Sequence, residues 1–236
     1  MKLNKHYLIR NECYIVGNRQ KVLGIMVHST GCNNTSVSSY LNYWNQLRPG
    51  GRQVCVHTFI GKLPDGSVGT YQTLPWDMVG WHSGQGTTGN ANFMGYIGFE
   101  ICEDDLTDRA YFEKVYREAV VLCVYLCRLY GLTEQNIFCH SEGYARGIAS
   151  NHADLMHWFP KFGKSMDTFR EDVRKQLVSR TCDNMPADWA MDAICWAIEN
   201  DLLKGNDQGD LMLRSPITRE QFCVMLKRYY DMTQTE

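Results

Sequence analysis

The sequence predicts an α/β protein, a mixed central β-sheet flanked by helices, with a small all-α helical hairpin appended at the C-terminal end. Three observations carry this. Apolar runs such as "KVLGIMVHST" (21–30) and "MGYIGFEICED" (94–104) end in polar residues, as buried strands do. Helical patterns alternate with them, the longest over 108–130. Near residue 182 the composition shifts: from Asp183 onward five Lys/Arg face ten Asp/Glu, so the tail carries −5 and the rest +3 within a net charge of −2.

Taken in order, 21–30 is the first buried strand. Over 35–45, "TSVSSYLNYWN", the spacing of Val37, Leu41 and Trp44 predicts a helix with Thr35 as N-cap. "VCVHTFIG" and "GSVGTYQTLP" flank "KLPDG", whose Asp-Gly step is a hairpin signal. The run 94–104 is apolar nearly throughout, which predicts a central strand. In the helix over 108–130, Phe112, Val115, Ala119, Leu122, Cys123 and Leu126 form an inward stripe, and Gly131 supplies the stop. "QNIFCH" (135–140) is a short strand, and "KSMDTFREDVRKQLVSR" is an amphipathic helix closing a first domain, 1–180. A second unit, 183–236, has a stripe of Trp189, Ala193, Ile194, Ala197 and Ile198, a break at "ENDLLKGNDQGD", and a second helix. Thr218 and Gln221 form a capping-box pattern at the start of that second helix.

Composition narrows the functional classes. The small net charge and the lack of a basic run give no reason to expect a nucleic-acid partner. No run reaches about 18 apolar residues, so no membrane span is expected. The N-terminal stretch lacks a signal-peptide core, which predicts synthesis in the cytoplasm without export. The ten cysteines fall mostly in apolar runs without a paired C-x-x-C framework, so buried reduced thiols are expected rather than disulfides.

The segment "SNHADLMHWF" (150–159) concentrates polar chemistry downstream of a histidine in "FCHSEG". A catalytic zinc site needs three protein ligands and an open fourth position. Candidates with suitable chemistry are His28 and His140, each at a strand end, with Asp154 or a histidine beside it. Side chains at neighbouring strand ends can converge though distant in sequence. Taken singly, each histidine is more ordinarily structural than a ligand.

Five blocks in register sharpen this reading. "GIMVHST", "VHTFIGKLPDGSVGTYQTLP", "GWHSG", "IGFEI" and "CHSEGYARGIASNHAD" together resemble zinc-dependent N-acetylmuramoyl-L-alanine amidases of the type-2 group. That group includes phage lysozyme-amidases and is similar to peptidoglycan-recognition proteins. The resemblance spans roughly 23–169 and implies the corresponding fold, peptidoglycan as substrate and Zn2+ as cofactor. It implies His28, His140 and Asp154 as metal ligands. His152 stands where the family carries a lysine or another polar cation, two positions before the third ligand. Glu100 matches an acidic residue placed near the zinc water, and so implies proton transfer from water to the leaving amine, while His152 shares the charge on the tetrahedral oxygen. The stretch "SEGYARGIASN" between the second and third ligands implies an enlarged loop. Trp81 and His82 are expected to line the substrate groove, His57 to line the sheet, His157 to support the site and Cys139 to pack in the core.

The tail resembles an S-layer homology module through "WAMDAI", a glycine-containing loop and "PITRE", with Leu213 where the family's proline stands. That resemblance implies a secondary cell-wall polymer as a second partner, with Trp189 and Arg219 at matching positions; the alternative is a hairpin that docks on the catalytic domain or self-associates. The whole chain is similar to phage or prophage endolysins, which implies action on the wall after release through a holin-type pore or on lysis. Two rival functions are a non-catalytic peptidoglycan-recognition module and a zinc peptidase acting on wall peptides. Recognition relatives tend to lose a ligand, whereas all three are present, and no H-E-x-x-H occurs.

Overall fold

The computed structural model describes residues 3–179, 186–206 and 209–234. Its elements are β1 (Leu3–Lys5), α1 (Glu12–Val16), β2 (Gly24–Ser29), α2 (Val37–Trp44), β3 (Thr58–Lys62), β4 (Val68–Gln72), β5 (Tyr96–Ile101), α3 (Arg109–Tyr130), β6 (Ile137–Cys139), α4 (His140–Ala145), α5 (Met166–Ser179), α6 (Met191–Glu199) and α7 (Arg219–Thr233). The six strands form one sheet in the order β1-β4-β3-β5-β2-β6. Among the described strands β3 and β4 pair antiparallel and the other strand pairs are parallel, so the sheet is mixed as expected. The apolar run 94–104 supplies β5, which lies between β3 and β2 inside the sheet.

Strand alternation gives the sheet two different faces. Ile25 and Val27 of β2, Ile97, Phe99 and Ile101 of β5, and Ile137 and Cys139 of β6 share one core with the α3 stripe. Phe112, Val115, Ala119, Leu122, Cys123 and Leu126 meet them there, the residues that the helical spacing selects. Asp108 caps α3 by accepting the Tyr111 N–H at 3.1 Å, and Gly131 ends it with φ +63°. The opposite face carries Met26 and His28 of β2, Gly98 and Glu100 of β5, and Phe59 of β3, since His28 and Phe59 both stand in register with Glu100. On this face α2 covers only the β3 end, where Tyr40 stacks on Phe59 and Trp44 meets its edge. The remainder is covered by α4, whose Gly143 lies against Met26, and by loops, and there the polar residues gather.

Two boundaries differ from the sequence reading. Ser36, not Thr35, caps α2, because its hydroxyl accepts the Ser39 N–H at 3.2 Å. The first part of the supposed loop after His140 is the helix α4: Glu142 accepts the Cys139 N–H at 3.1 Å, and Arg170 holds the same carboxylate with two bonds of 2.9 Å. In the tail, Thr218 and Gln221 form the expected reciprocal capping box. The step between the expected domains, at 180–185, lies outside the described residues. Cys195 and Ile198 of α6 pack against the main core, and Lys5 of β1 donates to the Ile198 carbonyl at 3.3 Å. Among the described residues no helix is long and apolar enough to cross a membrane, and all nine described cysteines are free thiols, six of them buried.

Candidate functional site

His28 lies near the end of β2, two residues before Thr30, and is 1 % exposed. His140 follows β6, which pairs with β2, so the first turn of α4 starts beside His28. Asp154 comes from the loop crossing the same sheet face. Its neighbour Leu155 is fully buried, adopts φ +70°, and donates its N–H to Ser29 Oγ at 3.2 Å. A non-glycine residue in the left-handed region is strained, and this held turn accompanies Asp154 as the chain meets the end of β2.

The three side chains converge. His28 Nδ1 lies 2.9 Å from Asp154 Oδ2 and 3.1 Å from His140 Nδ1, and His140 Nδ1 lies 3.4 Å from the same Oδ2. Ligands at tetrahedral zinc distances stand about 3.3 Å apart, so the three donor atoms are spaced as one face of a tetrahedron. Among the described residues this is the group of His, Cys, Asp and Glu able to hold a metal ion. The chemistry of the donors fits as well. Burial lowers the pKa of His28, outweighing the opposing pull of Asp154, and so favours a neutral imidazole. Burial by itself would raise the Asp154 carboxyl, but close contacts with His140 and His28 outweigh it and hold the group well below the ordinary carboxylate range. Two imidazoles and an ionised carboxylate are a borderline-soft donor set of the kind that zinc takes.

Glu100 stands directly across from His28 in the strand register, on the same face. Its Oε2 is sealed from solvent without a hydrogen-bond partner. Burial, then the negative charges of Asp154 and Glu103, push this carboxyl well above its ordinary range. His152 is exposed, with its ring centroid 4.8 Å from that of His140. It stands beside the three-residue group and is not one of its members. His157 pairs with the buried Glu103 at 2.9 Å, and Glu103 also accepts the Gly31 N–H.

The other histidines divide clearly. His57 is fully buried, donates from Nε2 to the Met78 carbonyl at 2.8 Å and accepts the Gly98 N–H on Nδ1 at 3.1 Å. Burial brings its pKa down to about 4, so it is a neutral fixture of the sheet, away from the donor cluster. His82 is half-buried, and both of its nitrogens are engaged inside the protein, Nδ1 with His28 Nε2 at 2.9 Å and Nε2 with the Tyr96 carbonyl at 3.2 Å. Trp81 is half-buried, packs against the cluster of Leu8, Cys13, Cys55, Leu74 and Met78, and exchanges two backbone hydrogen bonds of 2.9 Å with Cys55. In the tail, Trp189 is 90 % exposed and Arg219 is exposed.

Sequence reasoning did not select Ser150, whose hydroxyl lies 3.3 Å from His140 Nε2, nor Glu103. Nor did it weigh Gly98, although a lone glycine inside an apolar strand signals close approach of another group. A Cβ at Gly98 would stand 2.3 Å from His82 Cγ.

Comparison with known proteins bears on the family and the fold. The sequence model of the family described as N-acetylmuramoyl-L-alanine amidase matches residues 18–157. The hydrolase AmiA of Staphylococcus aureus, solved in complex with its ligand, is similar with a TM-score of 0.59 at 17 % identity, covering 75 % of this chain and 84 % of that one. PlyL is similar with a TM-score of 0.58 at 20 % identity, over 74 % of this chain and 98 % of its own. A mutant endolysin from Bacillus subtilis gives 0.54 at 20 % identity, over 73 % and 99 %. No curated protein matches the sequence. At these identities the structural likeness speaks for the fold.

Proposed function

The chain belongs to the N-acetylmuramoyl-L-alanine amidase family, and from that premise we propose that it hydrolyses the amide joining N-acetylmuramic acid to L-alanine in peptidoglycan, as a zinc-dependent wall-lysing enzyme of endolysin type. The observation that carries this reading is the convergence of His28 Nδ1, His140 Nδ1 and Asp154 Oδ2 within the span that the family matches. These three residues would hold the ion. Zinc bound there supplies positive charge that polarises a scissile carbonyl and acidifies water. Glu100 takes a proton from water and delivers it to the leaving amine, a role suited to a carboxyl whose pKa is raised by burial. His152, exposed and with its ring 4.8 Å from that of His140, donates to the oxygen on which charge develops. Trp81 and the outer edge of His82 form the wall that the 81–84 loop offers to substrate.

Digestion of purified peptidoglycan tests this. Free amino-terminal alanine should appear without new glycan reducing ends, and a chelator should abolish its release until zinc is restored. New reducing ends, or release unaffected by the chelator, would refute the assignment.

For residues 183–236 we propose an S-layer-homology-like module that contacts wall polymer, with Trp189 and Arg219 as its exposed contacts. The bond from Lys5 to Ile198, and its ion pair with Asp201 at 3.8 Å, support docking of α6 on β1 as the alternative use. Deleting 183–236 should lower the fraction of protein that sediments with purified cell walls. Unchanged sedimentation would refute wall binding by the module.

A further inference from the structure

His28 and His140 both turn Nδ1 toward Asp154, and both engage a protein partner through Nε2. We propose that His82 and Ser150 are positioning residues which, anchored on two backbone carbonyls, place the Nε2 proton of each histidine and leave both Nδ1 lone pairs aimed at one point. The proposal rests on the metal-site reading above, since that point is where the ion would sit.

Each chain of bonds has its direction set at the far end, because a carbonyl oxygen only accepts. The Tyr96 carbonyl takes the Nε2–H of His82 at 3.2 Å, so the Nδ1 of a neutral His82 is bare. That bare nitrogen accepts from His28 Nε2 at 2.9 Å, which puts the His28 proton on Nε2 and frees Nδ1. On the other side the Ser83 carbonyl takes the Ser150 hydroxyl proton at 3.1 Å. The Ser150 oxygen then accepts from His140 Nε2 at 3.3 Å, which frees His140 Nδ1 in the same way. With Nε2 protonated, both Nδ1 atoms are free to face a cation together with Asp154 Oδ2, all within 2.9–3.4 Å of one another, in place of the contacts through which the two histidines lower the Asp154 pKa when no cation is bound.

The sheet is shaped to accept the first chain. Gly98 leaves room for the His82 ring to lie across β5, since any Cβ there would overlap it. His57 pins the same strand residue from the other side, donating its backbone N–H to the Gly98 carbonyl at 2.8 Å and accepting the Gly98 N–H on its ring. This gives a buried histidine outside the donor cluster a definite task. It holds the floor on which His82 rests.

Nitrogen-15 spectra of histidine-labelled full-length protein, together with Zn2+ affinity by chelator competition, test the proposal. In metal-free wild type the His82 proton should reside on Nε2, and His28 should carry a proton on Nε2. His82→Ala should weaken Zn2+ binding about 10–100-fold. His82→Gln, whose side-chain oxygen can accept from His28 Nε2, should recover most of the loss, which lost packing alone would not explain. Ser150→Ala should weaken Zn2+ binding in the same direction. A His82 proton on Nδ1, or unchanged Zn2+ affinity in His82→Ala, overturns the proposal. Protons placed as expected in a wild type that takes up no Zn2+ would support the relay and remove the metal reading instead.

Discussion

Glu100→Gln is expected to lower alanine release from peptidoglycan by about 10²–10⁴-fold, the range for loss of a general acid–base group, while Zn2+ still binds with near wild-type affinity. The side chain stands next to His28 in the strand register yet is not part of the donor triangle, so its removal should leave the ligands in place. The same change makes an opposite prediction for stability. A carboxyl whose folded pKa is raised holds its proton more tightly in the native state than in the unfolded chain. Ionising it therefore costs the fold, and the cost grows as pH rises above the ordinary carboxylate range toward the raised value. Metal-free Glu100→Gln should then melt at or above the wild-type temperature at pH 7. His152→Ala gives the contrast: an exposed donor to a developing oxyanion should cost about 10²–10³-fold in rate with no gain in stability. Full activity in Glu100→Gln, with metal bound, would remove the proton-transfer role.

The sequence made the scaffold and part of this site legible, for reasons that differ residue by residue. The apolar strands, the α3 stripe and the Asp-Gly hairpin follow from periodicity and turn chemistry that act locally. Three short elements did not show: β1 and α1 have no usable period, and α4 is stabilised by Glu142 and its pair with Arg170 rather than by an apolar stripe. His28, His140 and Asp154 were identified by resemblance, and the fold brings all three to one point. The partners behind them were hidden because they are backbone carbonyls, those of Tyr96 and Ser83, or side chains as common as Ser150. Nothing in one sequence distinguishes a carbonyl that orients a ligand from any other. Gly98 is the exception. Its place inside an apolar strand was visible, and the reason for it, the His82 ring, is visible only in three dimensions.

Phe112→Ala should destabilise the protein by about 3–5 kcal/mol, the usual cost of deleting a buried aromatic ring, and lower Tm by roughly 6–20 °C for a chain of this size. Phe112 is 2 % exposed and lies at the centre of an aromatic cluster. It stacks on Phe162 at 4.4 Å and meets the edges of Trp158 and Phe159 at 5.4 and 5.6 Å. All three partners lie in the segment that follows Asp154, so the ring ties α3 to the turn beside the third donor. Loss of stability should therefore come with a second effect that an ordinary core truncation lacks. Once the turn around Leu155 is less firmly packed, Asp154 is less well placed, and Zn2+ affinity should fall even in protein that remains folded. Phe93→Ala supplies the control: at 61 % exposed, it should change stability by no more than about 0.5 kcal/mol and leave Zn2+ binding unaltered. Equal Zn2+ affinity in folded Phe112→Ala and wild type would show that the α3 contact stabilises the fold without steering Asp154.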